Sequence, residues 1–233
     1  MQRQENPFNA ELADIILQST GKAGISLTQQ QAQLFGLHIQ LLLQWNTRFN
    51  LTRITALEAV IVKHLLDSLL PAKFLPSTGN ALDVGTGAGF PGIPLKILYP
   101  ALRMHLLDSS RKKVSFLANV AAALGLCGIK AVHGRWQDFH EAEKISGFQL
   151  ITMRALKFEP EHIASLAATT LAPGGLFAWW GTCPPGEIGG KDCGPGHFEG
   201  DYRNFEFLGA FSYPLPGIER QRAVWVWKKT GIG

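Results

Sequence analysis

The 233-residue sequence predicts an α/β chain, with an open and mostly parallel sheet preceded by a helical N-terminal extension. Three observations predict it. The first ~75 residues carry apolar side chains at helical spacing. From Ala81 onward, short apolar runs of strand length alternate with helical patterns. The first such run, Ala81-Leu82-Asp83-Val84, passes directly into Gly85-Thr86-Gly87-Ala88-Gly89-Phe90-Pro91-Gly92. Strand, Gly-rich turn and helix start, in that order, make a nucleotide-type binding loop. The pattern divides the chain into an extension over residues 1–78 and a sheet domain over 79–233.

In the extension, Leu12, Ile15, Ile16 and Leu17 open one amphipathic helix, and Gly21 to Ser26 breaks it. Thr28 and Gln31 have the spacing of a capping box and start a second helix through Leu34, Leu37, Leu41, Leu42 and Trp45. Thr55 and Glu58 repeat that spacing before Val60, Ile61, Leu65, Leu66 and Leu69. Pro76 to Gly79 closes the segment. Strands are expected at Ala81–Val84, Met104–Asp108, Ile129–His133, Phe148–Thr152 and Leu176–Trp180. Helices are expected after Pro91, over Lys112–Leu124 and over Glu161–Leu171. Pro91 and Pro94 suit a first helical turn, where a missing N–H costs little. Phe205–Phe211 and Ala223–Lys228, parted by Pro214 and Pro216, read as an antiparallel, hairpin-like end.

Composition bounds the function classes. A chain that is 46% hydrophobic and 17% charged can bury a sizeable core. No run reaches the ~18 apolar residues of a membrane span. Met1 to Pro7 has no apolar signal core. Three cysteines in a chain of this size point to a reducing cytoplasm rather than a disulfide framework. The net charge of +4 permits a nucleic-acid partner.

The loop fits two ligand classes. Gly87 to Gly92 matches the dinucleotide pattern GxGxxG, whereas Gly85, Gly87 and Gly89 have the GxGxG spacing of a methyl-donor loop. Asp83 ends the first strand, where a carboxylate repels a pyrophosphate but suits an ammonium and a sulfonium. Asp108 ends the second strand, near the ~20-residue offset at which an acid holds a ribose diol. Two acids at two strand ends favour S-adenosyl-L-methionine over NAD.

The chain resembles the RsmG (GidB) family, methyltransferases that modify N7 of a guanine in bacterial 16S rRNA. Five segments carry the resemblance: Trp45-Asn46 with Phe49-Asn50-Leu51-Thr52; His64-Leu65-Leu66-Asp67-Ser68; Leu82 to Leu95; Leu106 to Ser109 with Lys112-Lys113 and Phe116-Leu117; and Arg154-Ala155. The continuation Phe90-Pro91-Gly92-Ile93-Pro94-Leu95 is more specific than the glycines. The resemblance implies a Rossmann-like sheet of the class I S-adenosylmethionine-dependent type behind a helical extension. It implies that Gly85, Gly87, Gly89 and Phe90 wrap the methionine part of the cofactor, with Asp83 beside them. Asp108 would take the ribose, Trp136-Gln137 would lie at the adenine, and Arg154 would contribute to the cofactor site. Arg154 could hold a carboxylate bidentately, reach a phosphate, or form only a surface salt bridge.

The implied chemistry needs no catalytic acid or base, because guanine N7 presents a lone pair and no proton. Placement of the two reactants carries the rate. An acidic or aromatic group is expected near the base, which becomes cationic. Trp179 and Trp180 are candidates by position. Trp180 stands where the family has a Lys, Lys63 where it has Arg, and Gln149 where relatives often carry an acid. Arg48, Arg53, Lys63, His64, Arg111, Lys112 and Lys113 are candidates for contact with 16S rRNA, free or in the 30S subunit. His64 and Asp67, three apart, form either a catalytic dyad or a structural hydrogen bond. Cys183, Cys193 and His197 match no compact zinc spacing, so no metal is expected. Their Gly- and Pro-rich loop reads as a lid or an RNA-facing insertion. A non-catalytic assembly factor binding cofactor and rRNA is the other reading.

Overall fold

The computed structural model describes residues 7–143, 147–155, 160–182 and 204–231. Helices α1 (Pro7–Lys22) and α2 (Gln29–Phe49) pack against each other in the extension. The capping box at α2 is present: the Thr28 side chain accepts from the Gln31 N–H at 3.1 Å, and Gln31 Oε1 accepts from the Thr28 N–H at 3.0 Å. The second expected capping box is absent. Ala56, not Thr55, caps α3 (Leu57–Val60), and no side chain bonds there. The helical run then widens into a π-helical turn, Ile61–Leu66, continues as α4 (Asp67–Leu69), and tightens into a 3-10 turn, Leu70–Phe74.

The sheet follows the expected alternation. Its strands are β1 (Gly79–Val84), β2 (Leu102–Asp108), β3 (Ile129–His133), β4 (Phe148–Arg154), β5 (Leu171–Thr182), β6 (Phe205–Leu215) and β7 (Ile218–Lys229). They lie in the order β3-β2-β1-β4-β5-β7-β6. β1 to β5 pair in parallel, while β7 runs antiparallel to both β5 and β6. The strand order reverses beside β1, so the crevice at its carboxyl end is the natural ligand site of an open α/β sheet.

Two apolar layers hold the sheet. On one face, α5 (Gly92–Leu98) and α6 (Arg111–Ala123) share a continuous core with α2, so the extension packs into the sheet's own core. On the other face, α7 (Trp136–Glu143) and α8 (Pro160–Thr170) cover Leu82, Leu107, Phe148 and Phe177. Helix α7 was not expected from the sequence. β5 begins at Leu171 rather than Leu176, and a register shift between Phe148 and Leu150 absorbs the Pro173-Gly174-Gly175 segment. Pro214 lies inside β6 instead of interrupting it, because β6 is the edge strand and loses no ladder bond there.

Candidate active site

The loop after β1 is shaped by its glycines and anchored by two acids. Gly85, Gly87 and Gly89 sit at φ +64°, +61° and +91°, a region that side-chain-bearing residues avoid. Gly92 has an ordinary backbone but no room. A Cβ there would lie 2.4 Å from Leu106 Cδ2 and 2.7 Å from Asp83 Oδ2. That closeness lets the Gly92 N–H donate to Asp83 Oδ2 at 2.9 Å. The Thr152 hydroxyl donates to Asp83 Oδ1 at 2.7 Å.

Asp83 is therefore placed differently from the sequence expectation. Its carboxyl is fully buried behind the loop, tying α5 to β1 and β4, and does not line the cavity. Burial pushes it up to about 6, against the hydrogen bonds from Thr152 and Gly92 that favour the charged form.

Asp108 does reach the cavity. Its Oδ2 accepts the Gly87 N–H at 3.0 Å, and its Oδ1 accepts the Ser110 N–H at 2.8 Å. Lys113 Nζ stands 3.7 Å away. The cavity, of about 290 Å³, is lined by Gly85, Asp108, Ser109, Arg135, Trp136 and Gln137, among others. Trp136 is buried and stacks on Phe177 at 6.3 Å, so it is a packed wall of the cavity. Gln137 is exposed at the rim.

A second, larger cleft of about 650 Å³ opens where β4, β5 and β7 end against the π-helical turn. Its floor is Asp67. This buried carboxylate accepts from Arg154 Nη1 at 3.0 Å, from the Tyr213 hydroxyl at 2.8 Å, and from Arg222 Nε and Nη2 at 2.8 and 3.0 Å. The bidentate partner is Arg222; Arg154 gives one bond and is only 12% exposed. Arg154 is thus a buried ion-pair partner in the cleft wall, and it does not line the smaller cavity. It still meets the loop, with its guanidinium 5.6 Å from the centre of the Phe90 ring.

His64 and Asp67 meet through Arg154 rather than as a dyad. An arginine only donates, so the 3.0 Å contact from Arg154 Nη2 to His64 Nδ1 leaves the proton on Nε2. That Nε2–H donates to the Thr52 hydroxyl at 3.0 Å, and Thr52 is held in turn by its N–H to Asn46 Oδ1 at 2.8 Å. Burial, helped by the Arg154 charge, lowers His64 to about 3, so the ring stays neutral.

Trp179 and Trp180 both line the cleft, but differently. Trp180 is 1% exposed, and its indole N–H donates to the Asp67 carbonyl at 2.8 Å. Trp179 is half-buried and tilts against Trp225 at 6.3 Å. Lys63, Arg220 and Arg222 also line the cleft, so among the described residues four cations and one carboxylate line it. Gln149 is structural, accepting from the Asn80 N–H at 2.6 Å. Arg48, Arg53, Arg111, Lys112 and Lys113 do not line the cleft. Cys183, Cys193 and His197 lie outside the described residues, which hold no cluster of three or more metal-type ligands.

Sequence reasoning missed Arg222, Tyr213 and Thr52 as members of this network. Tyr213 carried a weak signal as a polar residue on a largely apolar strand, whereas Arg222 was hidden in the polar run Glu219-Arg220-Gln221-Arg222. Thr52 was visible only as part of the Asn50-Leu51-Thr52 motif.

Comparison with known proteins decides the family. A family described as GidB, rRNA small subunit methyltransferase G, matches residues 30–185. The chain belongs to this family. It is 46% identical over 213 residues to ribosomal RNA small subunit methyltransferase G 1 of Syntrophobacter fumaroxidans, covering 89% of this chain and 92% of that protein. It is 41% identical over 166 residues to the methyltransferase G of Lachnoclostridium phytofermentans, covering 69% and 67%. In fold it is similar to TYW2 of P. horikoshii in complex with MeSAdo, at TM-score 0.51 and 15% identity, covering 71% of this chain and 62% of that one. The GidB chain is an S-adenosylmethionine-dependent methyltransferase. The residues present fit that cofactor: a glycine cradle open at Gly87, an acid beside it, and a cavity walled by an aromatic residue. No helix among the described residues is long and apolar enough to cross a membrane.

Proposed function

We propose that the protein transfers a methyl group from S-adenosyl-L-methionine to N7 of a guanine in 16S ribosomal RNA, acting in the cytoplasm on the 30S subunit or a precursor of it. One observation carries the reading. Phe90, in the Gly-rich loop, contacts both His64 and Arg154, and these line the larger cleft. Donor loop and substrate cleft therefore share a wall. The printed names of the relatives, small-subunit rRNA methyltransferases, supply the substrate class.

The cofactor supplies an activated methyl on a sulfonium. In this reading, Gly85 to Phe90 cradle its methionine part, Asp108 accepts from the ribose, and Gln137 and the Trp136 wall flank the adenine. Residues 1–78 act as an extension to the methyltransferase domain over 79–233. Trp179, the half-buried member of its pair, offers the aromatic face for the base, while Trp180 fixes Asp67 from behind. Arg220 and Lys63, at the cleft, suit flanking phosphates, which give affinity and salt dependence. No side chain needs to remove a proton, because N7 has none. The work left to the protein is alignment and exclusion of water. Neutral His64 and the pairing of Arg154 with Asp67 keep the cleft wall ordered for it.

The test is methyl transfer from labelled S-adenosylmethionine to small-subunit rRNA lacking prior modification, both as naked RNA and as 30S particles. The expected product is N7-methylguanosine at one site, abolished by Gly87→Arg, which forces a side chain onto a left-handed backbone in the cradle. Cofactor binding without transfer to either substrate would overturn the proposal in favour of another substrate or of a non-catalytic assembly role.

A further inference from the structure

The Gly-rich loop is gripped from outside by the helical extension. His38, on α2, is fully buried, and its Nε2–H donates to the Ala88 carbonyl at 2.9 Å across 50 positions of sequence. The same ring stacks on Phe90 with centroids 4.7 Å apart and planes at 25°. His64, from the π-helical turn, also stacks on Phe90, at 4.8 Å and 16°. One loop side chain, the Phe90 ring, and one loop carbonyl, that of Ala88, are thus held by two histidines of the extension.

We propose that His38 is a positioning residue for the methyl-donor loop, so that the extension forms part of the cofactor site. The inference rests on the S-adenosylmethionine reading of that loop. A loop with three left-handed glycines has many accessible conformations and must be restrained to be ready for a ligand. Inside the loop, the Thr86 carbonyl accepts from the N–H groups of Gly89 and Phe90, at 2.9 and 3.1 Å. Its middle is held from outside by two bonds on successive residues: Asp108 accepts the Gly87 N–H, and His38 donates to the Ala88 carbonyl. The sheet provides one anchor and the extension the other.

A buried histidine is an expensive way to fill space. Phe35, Ile39 and Leu42 on the same helix face show that apolar residues suffice to pack α2. What His38 adds is a donor aimed at the loop. Burial lowers it to about 4, so it remains a neutral, directed N–H donor at any physiological pH.

The experiment is calorimetric titration of the full-length protein with S-adenosylhomocysteine, which needs neither RNA nor turnover. His38→Phe keeps a stacking ring and loses the donor. The expected result is a Kd raised about tenfold, because the binding-ready loop becomes a minor population. His38→Gln, which can restore an N–H donor, is expected to recover most of that loss. In turnover, the KM for S-adenosylmethionine should rise in His38→Phe while kcat at saturating cofactor stays within about twofold. A Kd within twofold of wild type overturns the proposal, whether or not the melting temperature falls, since His38 would then serve packing alone. If His38→Phe does not fold, His38→Leu takes its place, since it also removes the donor, and an unchanged Kd there overturns the proposal equally. Failure of the wild-type protein to bind S-adenosylhomocysteine would instead overturn the cofactor reading beneath it.

Discussion

Replacing Asp67 by Asn removes the negative centre of the larger cleft while keeping its shape. The carboxylate is 2% exposed and accepts four side-chain hydrogen bonds, three of them from guanidinium groups. An amide offers one acceptor oxygen and turns two N–H donors toward groups that also donate. Arg154 and Arg222, only 12% and 18% exposed, would then face each other with no counter-charge between them. Breaking a buried pair at one partner costs roughly 3–5 kcal/mol, chiefly from the charge left behind. For a chain of this size each kcal/mol lowers Tm by about 2–4 °C, so the expected fall is on the order of 6–20 °C. Thermal unfolding followed by circular dichroism measures it, with urea unfolding at 25 °C as an independent scale. Tyr213→Phe, which removes one neutral donor to the same carboxylate, should cost only about 1 kcal/mol. An Asp67→Asn loss below 1 kcal/mol would refute the reasoning, because water rather than Asp67 would then be compensating the two arginines.

Three further predictions concern the loop and the cleft. Asp108→Ala removes both the Gly87 anchor and the proposed ribose acceptor, and should raise the Kd for S-adenosylhomocysteine by about 10- to 100-fold; a change under twofold would place the ribose elsewhere. Asp83 is protonated in the fold up to about 6 but in the unfolded chain only up to about 4, so between those values the native state holds the extra proton. Its contribution to stability therefore falls as pH rises through that window, by roughly 1.4 kcal/mol per unit, and is level above it. Urea titrations should show wild type losing ground to Asp83→Asn from pH 4 to pH 6.5, and a pH-independent gap between the two would refute the shift. Arg220→Ala should weaken rRNA binding across sequences and reduce the salt slope by about one, as measured by filter binding over a salt series; an unchanged slope would remove Arg220 from the phosphate contacts.

Much of the fold was legible because its signals are local. The Thr28–Gln31 box, the apolar runs of β1 to β4 and the glycine loop each depend on spacing within a few residues. The same holds for Asp108, whose place at a strand end follows from where the apolar run stops. The Thr55–Glu58 spacing failed because a cap also needs backbone geometry, and the chain enters α3 one residue later. Asp83 was expected to face the ligand from the end of its strand. Its partners, however, are the Gly92 N–H and Thr152 on a strand 69 positions away, which no local pattern reveals.

The sequence by itself determined the order of the strands and of most of the helices, the Gly-rich loop with an acid at the end of β2, and the family. These rest on periodicity and on short motifs whose spacing is their mechanism. Only the tertiary structure decided what each polar residue faces. It brought Asp67, Arg154, Tyr213 and Arg222 together from four elements, turned the presumed His64–Asp67 pair into two partners of one arginine, and tied His38 to Ala88. The physical reason is that a buried charge or imidazole must find its partner wherever the sheet order and the packing of α2 put one. That partner is set by distance in space, which sequence spacing does not encode.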